Sequence, residues 1–272
     1  MPELPEVEVI VRGLRRCAVG RRISRAEFLW SGLVIGDAQR TANLLQGLTI
    51  CQVRRYGKYI LIDVEGRRQR YYLTIHLRMT GKLYVQPKIE SKKKHISAYI
   101  KVSNKYLIFE DTRKFGRFYL YNSIENLNNK LGIEPFSKGF TEKWLIDNLR
   151  IKNRQMKQLL LDQSFIVGLG NIYTDEALWH ARIHPLSKSD SISTKKIKKL
   201  YKAIKTVLSD SIKMGGSTIK DYTYDYSYVG NYALNLKVYG RNDQNCKRCN
   251  TLITKYKIAQ RGTFVCKKCQ KK

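Results

Sequence analysis

The period of the apolar positions changes along the chain, and the changes mark out its elements. Val7, Ile10, Val11, Leu14 and Cys17 recur at steps of three and four and predict one face of an amphipathic helix within 2–20, ended by Gly20. From about 48 to 121 the pattern shortens to β-type runs: Tyr59-Ile60-Leu61-Ile62, Tyr71-Tyr72-Leu73-Thr74-Ile75, Tyr99-Ile100-Lys101-Val102 and Tyr106-Leu107-Ile108-Phe109. Turn signals such as Glu65-Gly66 and Ser103-Asn104-Lys105 separate them, which predicts an antiparallel sandwich. Beyond Pro135 the helical period returns over 141–149, 154–163, 172–181 and the lysine-rich stretch 194–213. The stretch 215–234, with Gly215-Gly216 and repeated tyrosines, breaks that period and is expected to be a loop. The fold class is therefore α+β, a sandwich flanked by helices and followed by a helical region.

The last 35 or so residues are too few to build a core of their own. They carry the most specific spacing in the chain, Cys246-x2-Cys249-x16-Cys266-x2-Cys269. Two such knuckles can converge tetrahedrally on one zinc ion, and a reducing cytosol disfavours reading them as disulfides. Four protein thiolates leave no open position on the metal, so the site is structural. Its expected role is to hold a hairpin of residues 251–265 rigid, with Arg261 near the tip. Cys17 and Cys51 stand alone and read as small buried hydrophobes.

Charge adds a partner to this picture. The 272 residues include 52 Lys and Arg against 22 Asp and Glu, a formal +30 spread along the whole length, which points to a polyanion and foremost to nucleic acid. No stretch approaches the roughly 18 to 20 consecutive apolar residues of a membrane span, and nothing in the sequence directs the chain out of the cytosol.

The start of the chain carries candidate chemistry. Removal of Met1, which a small second residue favours, would leave Pro2 as a free secondary amine, nucleophilic in its neutral form. The nearby helix N-terminus favours that neutral form, whereas Glu3 and Glu6 act in the opposite direction. Proline in a first turn is also simply a good helix starter. The run Pro2-Glu3-Leu4-Pro5-Glu6-Val7-Glu8 resembles the signature start of the formamidopyrimidine-DNA glycosylase family. So, in the family's order, do His76-Leu77-Arg78-Met79-Thr80-Gly81, Asp111-Thr112-Arg113-Lys114-Phe115-Gly116, Leu131-Gly132-Ile133-Glu134-Pro135, the stretch from Gly168 to Leu178, and Val238-Tyr239-Gly240-Arg241. The zinc element closes the series, so the resemblance spans the full length.

The resemblance implies a base-excision enzyme for oxidised purines acting as a monomer on damaged duplex DNA. In it the Pro2 amine attacks C1′, displaces the base, forms a Schiff base and nicks the strand by two eliminations. Glu3 beside the nucleophile suits proton shuttling. Lys58 aligns with a lysine of β-elimination, and Arg261 with the zinc-hairpin arginine of the second elimination. Met79, Arg113 and Phe115 align with residues that fill the gap left by the extruded base, which lowers an unstacking cost of a few kcal/mol. Asn171 aligns with the phosphate grip of a helix-two-turn-helix domain, and His76, His95 and Lys152 with further DNA contacts. Three domains are expected: 1–132, the catalytic sandwich with its N-terminal helix; 133–237, the helix-two-turn-helix domain with a lesion-capping loop; and 238–272, the zinc finger. The chain departs from the family pattern at Thr112 and Ile133, where proline is more usual, and at 222–232, which is richer in tyrosine. Competing readings are an endonuclease VIII-like enzyme for oxidised pyrimidines, which the Leu4-Pro5-Glu6-Val7 run disfavours, and a non-catalytic zinc-containing DNA-binding protein.

Overall fold

The computed structural model describes residues 1–67, 69–89, 94–217 and 230–272, with backbone alone for 126 and 128. They form two compact units, one of residues 1–129 with 215–230 and the other of 130–214 with 231–272.

The first unit opens with helix α1 (Leu4–Ala18), which starts at Glu3 and buries the stripe Leu4, Val7, Ile10, Val11, Leu14 and Ala18. Glu6 makes that start specific: its carboxylate accepts the Glu3 N–H at 2.9 Å, satisfying one of the donors a helix N-terminus leaves open. Eight strands follow, β1 (Ile23–Phe28), β2 (Thr49–Tyr56), β3 (Tyr59–Glu65), β4 (Arg70–His76), β5 (Lys82–Gln86), β6 (Ile96–Val102), β7 (Lys105–Glu110) and β8 (Arg117–Tyr121), with helix α2 (Ala38–Leu45) between the first two. They make two four-stranded antiparallel sheets, ordered β1-β6-β7-β5 and β2-β3-β4-β8. Register follows the period-two alternation. Ile60 pairs with Ile75 and Ile62 with Leu73, while Ile75 pairs with Phe118 and Leu73 with Leu120, so a continuous apolar face turns inward. Its opposite face carries Tyr59, His76 and Tyr119. Each fully buried apolar side chain contributes roughly 1.5–3 kcal/mol, and this core takes in Ile62, Val64, Leu73, Ile100, Phe109 and Phe118 among others. The short helix α3 (Glu125–Asn128) closes the unit.

The second unit holds α4 (Glu142–Arg150), α5 (Met156–Leu161), α6 (Asn171–Ala181), α7 (Thr194–Lys213) and the hairpin of β9 (Thr254–Ile258) and β10 (Arg261–Val265). Helix α7 buries Ile197, Leu200, Ile204, Val207 and Leu208 and leaves its lysines outside. Helix α6 is buried on nearly every side, from Ile172 to Ala181. Between α5 and α6 the chain turns twice. There the Gln163 side chain donates to the carbonyls of Leu161 and Leu169 at 2.9 and 2.8 Å and accepts the Gly168 N–H at 3.0 Å. Gly132 lies so near this turn that a Cβ would come within 2.3 Å of the Phe165 carbonyl oxygen, which explains glycine there. Among the described residues no helix is long and apolar enough to cross a membrane.

The α+β expectation and the antiparallel sandwich hold. The stretch 215–234 is loop-like only in part: Tyr232–Asn235 is a short 3-10 turn, and Tyr232 is buried with its ring 6.1 Å from that of Tyr173. Residues 222–229 of the expected lesion-capping loop lie outside the described residues.

Candidate active site and zinc centre

At the N-terminal site Pro2 and Glu3 are both buried, at the entry to α1. The second carboxylate oxygen of Glu6 accepts the Ser217 N–H at 2.8 Å and its hydroxyl at 3.2 Å. Gly216, at φ +90°, passes so close to Glu6 that a side chain would collide with it, and a Cβ on Gly230 would meet the Gly216 carbonyl at 2.3 Å. One carboxylate thus ties the helix start to Gly216 and Ser217.

Lys58 occupies a two-residue hairpin between β2 and β3, with Tyr56 paired to Tyr59. Gly57 supplies the positive φ of +54° that the first turn position of such a hairpin demands. The turn is braced from behind. Arg55 donates to the Gly57 carbonyl at 3.2 Å and to Glu8 of α1 at 3.0 Å. Lys58 itself is only 5% exposed, so it is no ordinary surface lysine. His76, adjacent on β4 and opposite Tyr59, is also buried. Burial, then Arg78 and Lys58, drive its imidazole down to about 3, so it is neutral, and Nδ1 accepts the Arg78 N–H at 3.0 Å.

Met79, Arg113 and Phe115 come together although 36 residues of sequence span them. The Arg113 guanidinium lies 4.6 Å from the Phe115 ring centroid and reaches the Met79 sulfur at 3.3 Å. Met79 and Phe115 are 39% and 43% exposed, an open apolar pair of the kind that wedges between bases. Behind them Asp111, 1% exposed, accepts the N–H groups of Arg113, Phe115 and Gly116 at 3.2, 2.8 and 2.7 Å, and the Thr80 hydroxyl. The Asp111 N–H in turn donates to the carbonyl of His95, an exposed residue held at φ +76°.

In the second unit Asn171 is the first residue of α6, preceded by the N-cap Gly170. Its side-chain amide donates to the Gly262 carbonyl at 2.9 Å, and its buried Oδ1 has no hydrogen-bond partner among the described residues. Lys152 is half-buried; its carbonyl accepts from the Ser189 hydroxyl and its ammonium lies 5.9 Å from the Phe165 ring centroid. Arg261 is exposed and begins β10, directly after the turn Ala259-Gln260, where both residues have positive φ (51° and 58°).

The four expected metal ligands converge. The ligand atoms of Cys246, Cys249, Cys266 and Cys269 all lie within 4.8 Å of one another, with Cys249 to Cys266 at 3.3 Å and Cys246 to Cys269 at 4.0 Å. A tetrahedron of ~2.3 Å zinc–sulfur bonds has edges of about 3.8 Å, so the thiolates fit one zinc ion. The Trp179 indole N–H donates to the Cys246 sulfur at 3.4 Å, and Arg248 stacks on that indole at 3.8 Å.

Three family models match in series: the formamidopyrimidine-DNA glycosylase N-terminal domain over residues 1–118, the H2TH domain of the same proteins over 131–223, and the zinc finger found in FPG and IleRS over 243–272. The formamidopyrimidine-DNA glycosylase of Halalkalibacterium halodurans is 39% identical and that of Bacillus subtilis 38%, each with 100% of both chains covered. The chain belongs to the formamidopyrimidine-DNA glycosylase family. Solved structures agree over the whole length. A Lactococcus lactis FPG mutant in complex with a Fapy-dG containing DNA gives a TM-score of 0.92 at 36% identity, covering 100% of both chains. MutM in complex with carbocyclic 8-oxo-G containing DNA gives the same TM-score, identity and coverage.

Within this family frame, sequence reasoning passed over the residues that hold the others in place. Asp111 and Glu8 stand inside family-like motifs with no role implied, and Arg55 and Gln163 carry no signal beyond charge or polarity. Asp175 and Glu176, which stand in the Gly168 to Leu178 motif with no role implied, are both fully buried. Glu176 accepts three successive N–H groups, of Lys237, Val238 and Tyr239, at 2.9 Å each. Burial pushes the Asp175 carboxyl up to about 7, against the downward pull of the Lys157 ammonium and the Phe264 N–H. An acidic pair set among Ile172, Tyr173, Ala177, Leu178 and Trp179, just after a glycine-flanked helix start, is the available clue.

Proposed function

We propose that this chain removes oxidised purines, 8-oxoguanine and formamidopyrimidines, from duplex DNA and then nicks the strand as an abasic-site lyase. The observation that carries the reading is the full-length likeness, at 36% identity, to FPG in complex with Fapy-dG containing DNA, together with a buried Pro2 and Glu3 at the helix start. The Pro2 nitrogen attacks C1′ as the glycosidic bond breaks and the base leaves with its electron pair. Glu3 passes protons to the departing base and the ring oxygen, and the opened sugar becomes a Schiff base of Pro2. Loss of a C2′ proton then expels the 3′ phosphate, with Lys58 assisting proton transfer and holding phosphate. Loss of a C4′ proton expels the 5′ phosphate in the second elimination, with Arg261 gripping that phosphate.

Met79, Arg113 and Phe115 take the space of the extruded base, with the arginine facing the orphaned partner. Asn171, Lys152, His95 and His76 contact the backbone; His76, neutral and held through Nδ1, contributes as a donor through its other nitrogen and not as a cation. The zinc bound by Cys246, Cys249, Cys266 and Cys269 stiffens the hairpin that carries Arg261 and supplies no chemistry. We take the functional segments as 1–132, 133–237 and 238–272, in a monomer working in the cytoplasm.

Borohydride trapping tests this. Methionine-processed protein mixed with duplex DNA carrying 8-oxoguanine opposite cytosine and reduced should give a covalent complex that P2G abolishes. A trapped complex with oxidised pyrimidine and none with 8-oxoguanine would move the chain to the pyrimidine branch. Tight binding with no complex on any of these or on abasic DNA would make it a silent binder.

A further inference from the structure

In a two-residue hairpin such as β9–β10, alternate residues turn their N–H and C=O toward the partner strand and away from it. Ile258 and Arg261 close the turn, so Gly262 and Phe264 belong to the outward set. One group of each meets a side chain of α6. The Gly262 carbonyl accepts from Asn171 Nδ2 at 2.9 Å, and the Phe264 N–H donates to Asp175 Oδ2 at 3.0 Å. The spacing explains the match: four helical residues rise about 6 Å and two strand residues about 6.7 Å. Side chains of α6 thus occupy the edge where a third strand would pair. The lower rung is buried throughout. Asp175 and Lys157 are both fully buried and paired through the other carboxylate oxygen, so the ion pair orients the acceptor that meets Phe264.

We propose that Asn171 and Asp175 form a side-chain ladder that sets the register of β10, and that Asp175, oriented by Lys157, is a positioning residue for Arg261. The inference rests on the lyase reading above. It concerns Arg261 because that residue sits between the ladder and a turn whose residues, Ala259 and Gln260, hold left-handed backbone that side chains disfavour. The turn cannot keep Arg261 in place by its own preferences, so the constraint comes from the stem. The chemical consequence is selective: base loss and Schiff-base formation are independent of Arg261, and only the second elimination feels a misplaced guanidinium.

The test compares two double variants, K157M/D175N and K157M/D175A, in the full-length zinc-loaded chain. Both remove the buried charge pair; only the first keeps an acceptor for Phe264. With K157M/D175A the borohydride adduct should persist while the product of the first elimination accumulates, the second elimination slowing about tenfold or more. Exchange of the Phe264 amide should speed up in the same variant, and K157M/D175N should resemble the parent in both measurements. An unchanged ratio of the two elimination products in K157M/D175A, or a Phe264 amide as protected there as in the parent, overturns the proposal. If the parent itself formed no adduct, the lyase reading would fall, and Phe264 exchange would still decide whether the ladder exists.

Discussion

Asp111 shows how much a single buried carboxylate can organise. Left in a low-dielectric interior without partners it would be costly, but three N–H groups and a hydroxyl meet its two oxygens, and charge-assisted bonds of this kind are roughly twice as strong as neutral ones. The loop bearing Arg113 and Phe115 therefore takes its shape before DNA arrives. D111N turns one oxygen into an amide facing donors, and should cost about 1–3 kcal/mol in chemical denaturation. Because the proposed wedge would matter most when a base must leave the stack, excision from duplex should fall about tenfold further than cleavage of single-stranded abasic DNA. Equal losses on the two substrates would detach Asp111 from the wedge. His76 offers a pH test of the same interior. Its imidazole is held at about 3 against an ordinary 6.5, so below pH 6.5 the unfolded chain binds the extra proton. The stability it contributes is present above that pH and is lost as pH falls toward the folded value. H76Q should accordingly show a shallower fall of Tm over this acid range than the parent; parallel curves would mean that His76 titrates normally.

At the scale of elements, the recurring device is a helix gripping the turn or edge that bears a residue of the proposed site. Helix α1 does this for the β2–β3 hairpin, where Arg55 joins Glu8 to the Gly57 carbonyl and so fixes the turn under Lys58. Glu8 also has Arg12 and Arg15 nearby, so R55M strips the brace without stranding the carboxylate. About 1–3 kcal/mol of stability should be lost, with abasic-site nicking slowed more than base excision. A uniform loss in both steps would argue that Arg55 only stabilises the fold. Helix α6 does the same for the zinc element along most of its length: Asn171 and Asp175 hold β10, Glu176 holds 237–239, Trp179 holds Cys246, and Gln270 reaches back to the Ile183 carbonyl at 3.0 Å. That burden explains why α6 is buried on nearly every side, where an ordinary surface helix keeps one polar face.

At the scale of the molecule, metal and core share the work of ordering the C-terminal element. Trp179, Val238, Ile253 and Phe264 cluster with Cys246 and Cys266, a small core that zinc completes. Chelating the ion should speed amide exchange across 246–269 and weaken DNA binding while the sandwich keeps its own unfolding transition; loss of both transitions together would refute independent units. The apolar periods and the cysteine spacing were enough by themselves to determine the α+β class, helices α1 and α4 to α7, strands β3, β4, β6 and β7, and the zinc ligands. These features repeat locally, at steps of two, three or four residues, and local repetition is what a sequence displays. Strands β1, β2, β5 and β8 are not among the β-type runs read from the sequence because they are short or mix charged with apolar positions, as in Arg54-Arg55-Tyr56 and Arg117-Phe118-Tyr119. Only the tertiary structure decided that Asp111, Arg55 and Asp175 are the supports of the candidate site. A carboxylate takes its role from the donors that surround it once folded, and those of Asp175 come from residues 18 and 89 positions away.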